Sequence, residues 1–537
     1  MLRAVTRRSP VLLAAALTAA AVLAGCGAGP STRPPLAMVD PRLAPTAAKT
    51  APRPTTPTPP PLQAPTANLV WTDCTATTLT RLGLSGGPAG LMLECAQVRT
   101  RIDVALTGAV SLGVLRARLP QTPTNTAPLV LVSGADGPAT TALAQLAVGP
   151  GSALVASRPV LALDRRGSAT SSPITCLSAP RRNALIDLDP GDTTQGDPQA
   201  AAVRLGRDAA VSCTDALSPA EGAFDGAHAA DDVDALRRVL GVDTLAVLGS
   251  GGGGGAVALR DALRHPQRVS RLILDSPLLP GSDQVSTAHA QARGAEAAFD
   301  AFAVACAAAG CPVADPRQTV LGLQQQARSS GGLPAAAGRR VSAGAVLIAV
   351  RQALLSPASG GSAGLGQALA DARGGDASRL QALADAATGR SPQGGDVGRV
   401  DSELVANCSD AALRPTAGQV RDLLPRWAQE SPLFGADAAI RLLVCQSWPT
   451  PPAAPALTGL AGLPPVLVVG STIDPVLGPD AATATEQALE QAGAGTGVLR
   501  RQGSGHPVLA NSPCALTVVI GYVADGSLPT PGTLCPP

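Results

Sequence analysis

The chain is almost without lysine and poor in aromatic residues. Lys49 is its only lysine, and three tryptophans, one tyrosine and four phenylalanines are spread over 537 residues. A core with so few rings has to be filled by leucine, valine and alanine. The formal net charge is only +2, which leaves no electrostatic case for nucleic acid or for strongly acidic partners. No Cys-x-x-Cys pair and no histidine cluster accompanies the cysteines, so the chemistry of a metal site is missing, and no metal or other cofactor is expected. No internal repeat is evident. The apolar stretch 11–23 is too short to span a bilayer comfortably.

That stretch has a different meaning. Arg3, Arg7 and Arg8 precede it, and Leu23-Ala24-Gly25-Cys26 ends it. A charged region, an apolar region and a lipobox-like end, in that order, predict an export signal cleaved before Cys26 with a lipid on its sulfur. The alternative is an ordinary secretory signal with a chance cysteine. Either way the mature chain is expected outside the cytoplasm, lipid-anchored to the outer face of the cell membrane or secreted. Setting Cys26 aside leaves ten cysteines, an even number that in an exported chain suggests disulfides. Sequence neighbours pair as Cys74–Cys95, Cys176–Cys213, Cys306–Cys311, Cys408–Cys445 and Cys514–Cys535, although spacing alone does not fix connectivity. Residues 27–67, rich in Pro, Thr and Ala, are expected to be a disordered tether.

From residue 68 the pattern becomes globular. Short aliphatic runs at 129–132, 160–163, 245–248, 271–274 and 465–469 have the length and composition of strands buried on both faces. Helical spacing follows or intervenes at 230–240, 256–263, 480–492 and 515–523. Alternation of the two predicts an α/β fold with a doubly wound, mostly parallel sheet. Ala-rich helical segments at 294–309 and 343–355 suggest a helical cap inserted at 279–458, between core segments 68–278 and 459–537.

The stretch around which the rest is organised is Asp243-Thr-Leu-Ala-Val-Leu-Gly-Ser-Gly-Gly-Gly-Gly-Gly-Ala-Val-Ala-Leu259. A strand, a glycine turn and a helix in succession resemble the nucleophile elbow of the α/β-hydrolases, G-x-S-x-G. Two polar residues follow later strands: Asp474 in Gly470-Ser-Thr-Ile-Asp-Pro-Val476, and His506 in Gly503-Ser-Gly-His-Pro507. At the carboxyl edge of a parallel sheet they are placed to act as acid and base. The order nucleophile, acid, base is that of α/β-hydrolases. Of the four histidines, only His506 sits on a glycine-rich loop after a strand.

Several stretches in their order resemble the actinobacterial tripeptidyl-aminopeptidase-like family of α/β-hydrolases. They are Val70-Trp-Thr-Asp-Cys74, Asp164-Arg-Arg-Gly167, Phe299-Asp-Ala-Phe302 with Cys306 and Cys311, Cys445-Gln-Ser-Trp-Pro449, Asp474-Pro-Val476, Gly505-His506 and Gly526-Ser-Leu-Pro529 with Cys535. The resemblance covers nearly all of residues 68–537. It implies a capped serine hydrolase that releases short peptides from a free N-terminus, with Asp474 and His506 as its acid and base.

Two departures stand out. Counted forward from the strand, the nucleophile slot is Gly251; counted back from the helix it is Gly252. Ser250 is the only hydroxyl nearby. The loop after strand 129–132 reads Ser133-Gly-Ala-Asp-Gly-Pro138, where the resemblance implies a Gly-Gly-Pro-Gly type oxyanion loop. Gly134, Gly251 and Gly252 are the candidate backbone donors to an oxyanion, and a carboxylate on Asp136 would repel one. Two readings follow. In the first, Ser250 attacks a peptide or small ester, His506 takes its proton and Asp474 orients the imidazole. In the second, the protein is a catalytically inactive lipoprotein that binds peptides or a cell-envelope partner. Asp164, Arg166 and Asp275 are expected to brace turns.

Overall fold

A computed structural model describes residues 59–135, 137–193, 196–355, 361–390, 398–449 and 456–537. Cys26, the signal segment and Asp136 lie outside these residues. Among the described residues ten strands form one sheet and two more a small hairpin. In chain order they are β1 (Thr72–Asp73), β2 (Met92–Arg101), β3 (Ala109–Arg118), β4 (Leu129–Ser133), β5 (Val160–Leu163), β6 (Leu245–Ser250), β7 (Val269–Asp275), the hairpin β8 (Leu333–Pro334) and β9 (Arg340–Val341), then β10 (Val466–Ile473), β11 (Thr496–Ser504) and β12 (Leu534–Cys535).

The sheet runs β1-β2-β3-β5-β4-β6-β7-β10-β11-β12. The pairs from β5 to β12 are parallel, and β1, β2 and β3 join by antiparallel pairings at one side. Its central strands are aliphatic because both faces are covered. Val130, Val132, Val247, Leu272 and Val468 face the helices Gly226–Leu240, Gly251–Arg264 and Ala481–Gln491. Leu129, Leu131, Leu248, Ile273 and Val469 face Ala139–Val148 and Pro513–Asp525. Period-two alternation puts neighbours in each strand into different cores. This is the α/β-hydrolase architecture: a doubly wound, mostly parallel sheet.

Between β7 and β10 lie the helices Gln284–Ala308, Pro316–Ser330, Ala343–Leu354, Gly361–Arg373, Ser378–Thr388, Arg399–Asp410, Ala417–Glu430 and Gly435–Arg441. They build a third core in which Phe299, Phe302, Trp427, Phe434 and Trp448 are buried, so most of the scarce rings are spent there. Helix Arg399–Asp410 fastens this body to the sheet domain. Asp410 accepts from Arg165 at 3.0 Å and from the Gly226 N–H at 2.7 Å, and Asp401 accepts from the Cys176 and Leu177 N–H groups at 2.7 Å. Disulfides join Cys74–Cys95, Cys176–Cys213, Cys306–Cys311, Cys408–Cys445 and Cys514–Cys535.

Two expectations need correction. Composition extends the tether through residue 67, but residues 59–67 dock along the amino edge of the sheet. Pro60 O accepts from Arg271, the Thr66 N–H donates to Leu240 O at 3.1 Å, and Gln63 Oε1 accepts the Asp243 N–H at 2.6 Å. A proline-rich segment can be held by such bonds without forming a regular element. The helix expected from 256 begins at Gly251. Glycine is a poor helix former, but here close packing demands it. A Cβ on Gly254 would stand 2.6 Å from Val132 O, and one on Gly249 would stand 2.6 Å from Gly254 O.

Candidate functional site

β6 carries the chain to Ser250, which is extended (φ −103°, ψ 128°), and Gly251 then turns with φ +72° into the helix. A left-handed φ at the junction of strand and helix is the strained position that a nucleophile elbow gives to its reacting residue. Glycine occupies it without strain and brings no side chain. Gly251, the position reached by the forward count from the strand, is the residue with the left-handed φ at this junction. Gly252 is already helical. A Cβ there would stand 3.1 Å from Leu477 of the acid loop. Ser250 lies in register beside Ser133 on β4 and Asp275 on β7. Its hydroxyl makes no hydrogen bond among the described residues, to His506 or to any other side chain.

The acid and base do meet. Asp474 follows β10 and His506 follows β11; both are buried. His506 Nδ1 lies 3.1 Å from each Asp474 oxygen. Asp474 Oδ1 also accepts the Val476 and Leu477 N–H groups at 2.8 and 2.9 Å. Burial pushes the Asp474 carboxyl upward, but the His506 charge and hydrogen bond and these N–H donors outweigh it, leaving the group below the ordinary carboxylate value. This is the arrangement that orients an imidazole and stabilises its protonated form. The base loop is held by Ser471 Oγ on Gly505 O (2.6 Å), Arg501 Nη1 on Ser504 O (2.6 Å) and the His506 N–H on Leu355 O (2.9 Å). The last of these comes from the inserted helices.

The inserted helices also press on the acid loop. A Cβ at Gly294, in helix Gln284–Ala308, would meet Asp474 O and would lie 2.7 Å from Gly478 N. Both neighbours are backbone and neither can rotate away. Gly294→Ala is therefore expected to destabilise the protein by about 1–3 kcal/mol, the usual range for overpacking, and to shift the His506 ring resonances. Chemical denaturation with histidine NMR checks both effects.

Asp164, fully buried at the end of β5, accepts from Thr140 N (2.9 Å) and Oγ1 (3.0 Å) and from Thr170 N (3.2 Å) and Oγ1 (2.7 Å). It braces its own turn, and it also anchors the start of helix Ala139–Val148 and thus the end of the loop that carries Gly134. That second grip was not read from the sequence. Burial pushes its carboxyl up against these four hydrogen bonds. Arg166 pairs with Asp232 at 2.6–2.7 Å. Asp275 accepts two N–H groups from the turn beyond His506. The other histidines serve elsewhere. His228 bridges Asp225 and Asp103, His265 lies 3.7 Å from Asp231, and His289 stacks on Trp427 beside Glu430.

A family model described as TAP-like protein matches residues 431–535, the segment that carries Asp474 and His506. Serine protease Hip1 of Mycobacterium tuberculosis and of Mycobacterium bovis is 28% identical over 331 residues, covering 57% of this chain. The match spans 61% of the length of these relatives. Among solved structures, the esterase RhEst1 from Rhodococcus sp. ECU1013 superposes with a TM-score of 0.36 at 16% identity, covering 78% of this chain and 96% of its own. A thermophilic esterase from Thermogutta terrifontis gives 0.35 at 14% identity, with coverages of 80% and 98%. Sheet order and the paired Asp474 and His506 agree with an α/β-hydrolase fold, and the C-terminal segment that carries both residues is similar to the TAP-like proteins.

Proposed function

We propose that this protein is an exported, membrane-anchored member of the family that binds peptides in a hydrolase cleft and does not cleave them through an acyl-serine intermediate. The observation that carries this reading is Gly251: the strained slot at φ +72° holds no side chain. A serine mechanism without its nucleophile falls by several orders of magnitude, down to what binding and oxyanion donors supply. The Asp474–His506 pair then serves as a polar anchor in the cleft. Export and the lipid on Cys26 rest on the order of charged, apolar and lipobox segments, and the five disulfides suit an oxidising compartment. Peptides are the ligand class suggested by the kinship with a serine protease.

A second reading keeps tripeptidyl-aminopeptidase-like hydrolysis with Ser250 as nucleophile. One observation favours it: Ser250 is only partly buried, and its hydroxyl makes no hydrogen bond among the described residues. A fluorophosphonate probe separates the two. The purified wild-type protein is expected to remain unlabelled while it binds short peptides saturably by calorimetry. Stoichiometric labelling that Ser250→Ala abolishes would establish the second reading instead.

A further inference from the structure

β7 lies between the strand of the elbow and the strand of the acid. It ends in Asp275, which is fully buried and stands in register with Ser250 on one side and Val469 on the other. Its oxygens accept the N–H groups of Val508 at 2.9 Å and Leu509 at 3.1 Å. These are the second and third residues beyond His506. The bonds from Ser471, Arg501 and Leu355 hold the loop at Ser504, Gly505 and His506, whereas Asp275 holds the two residues that follow Pro507.

We infer that Asp275 is a positioning residue for His506, a second carboxylate that fixes the base loop so that the imidazole stays on Asp474. The inference rests on reading the Asp474–His506 pair as retained machinery of the cleft. It does not depend on whether hydrolysis follows. Without this hold the stretch after His506 loses its two side-chain hydrogen bonds to β7. An imidazole needs a fixed tautomer and direction to be of use to any ligand or nucleophile.

The charged groups facing Asp275 are His506 from the loop after β11 and Asp474 from the loop after β10; β6 presents the neutral Ser250. Burial pushes the Asp275 carboxyl up to about 6. The Leu509 and Val508 N–H groups and His506 oppose the rise, and Asp474 adds to it. Its folded value thus lies above the ordinary one of 3.8. Between these two values the folded state holds a proton that the unfolded state has released, so this group's contribution to stability declines as pH rises through that window. The grip on the loop runs the other way. Bonds to a carboxylate are stronger than bonds to a neutral carboxyl, so the hold strengthens as pH rises through about 6 and weakens as it falls through it.

Proton NMR of the full-length protein tests this. The signals are the low-field Nδ1 proton of His506 bonded to Asp474, assigned by its loss in Asp474→Ala, and the exchange of the Val508 and Leu509 amides. In the wild type the low-field signal should fade and both amides should exchange faster as pH drops through about 6. In Asp275→Asn, with an unchanged circular dichroism spectrum, the signal should be broad at neutral pH and both amides should exchange at least about tenfold faster. A sharp signal in Asp275→Asn with wild-type pH dependence overturns the inference. Should that variant not fold, a wild-type signal and amide protection unchanged down to about pH 5 overturn it equally. Neither readout involves peptide binding or turnover, so its failure is distinct from a failure of the proposed function.

Discussion

Gly251→Ser should turn this protein into a serine hydrolase that a fluorophosphonate labels stoichiometrically. The backbone at this position already has the left-handed φ of an elbow. A serine there bears a strain on the order of 1–3 kcal/mol, which the packing of β6 and the following helix can hold, because Gly249 and Gly254 fix the two elements in near contact. His506 and Asp474 are already joined at 3.1 Å, and the N–H of Gly252 opens the helix beside the new hydroxyl. Nucleophile loss in serine peptidases costs on the order of a millionfold in turnover. The gain in ester hydrolysis over wild type should therefore be large, at least about a hundredfold even if the loop of Gly134 supplies a poor oxyanion donor. His506→Ala in the same background should remove the gain, whereas Ser250→Ala should leave it. Labelling of wild type equal to that of Gly251→Ser would show that Ser250 already acts, and the binding proposal would fall.

What was legible beforehand follows from the physics of each element. Strands such as β4 and β5 are uninterrupted aliphatic runs because both faces are buried, and that signal survives without any tertiary information. Asp474 is legible because it closes the Gly470-Ser-Thr-Ile stretch after the run 465–469, and His506 because it alone of the four histidines sits in a glycine-rich loop. The glycine helix was not. Propensity argues against helix across 251–255, and long-range packing of Gly254 on Val132 and of Gly255 on Pro277 is what requires glycine at those two positions. Helix Pro198–Leu217 has no clear apolar stripe in the sequence, although its start carries a signal: Asp197 caps it and proline takes the first position. Asp275 could be read as a turn partner, but its partners lie 233 and 234 residues away, and no local pattern reveals such a distance. The docking of residues 59–67 is hidden for a similar reason: it depends on bonds from Gln63 and Thr66 to the C-terminal end of helix Gly226–Leu240 and the residues that follow it.

The largest loss of stability from one substitution should come from Arg166→Ala. Arg166 and Asp232 have side chains only 2% exposed and meet through two hydrogen bonds, at 2.6 and 2.7 Å. Arg166 also donates to Ile102 O at 2.7 Å and Ala223 O at 2.9 Å, so one guanidinium ties β2, the turn after β5 and helix Gly226–Leu240 together. Burial pushes the Asp232 carboxyl up, and Arg166 is the partner that draws it back. Removing the guanidinium strands a buried acid and two carbonyls, a loss of about 3–5 kcal/mol. The acid would then escape its cost by taking up a proton on folding, so the deficit should deepen as pH rises and shrink as pH falls. Urea denaturation at about pH 5 and 8 reads both the size and the sign of that dependence. The double variant Arg166→Met, Asp232→Leu separates charge from packing. Replacing a buried pair by apolar groups is often near neutral, so the pH-dependent part should vanish. A residue of about 1–3 kcal/mol should remain for the carbonyls of Ile102 and Ala223. An equal loss in the single and double variants would mean that those carbonyl bonds, and not the ion pair, hold the turn that begins at Asp164 and, through Thr140, the loop facing the elbow.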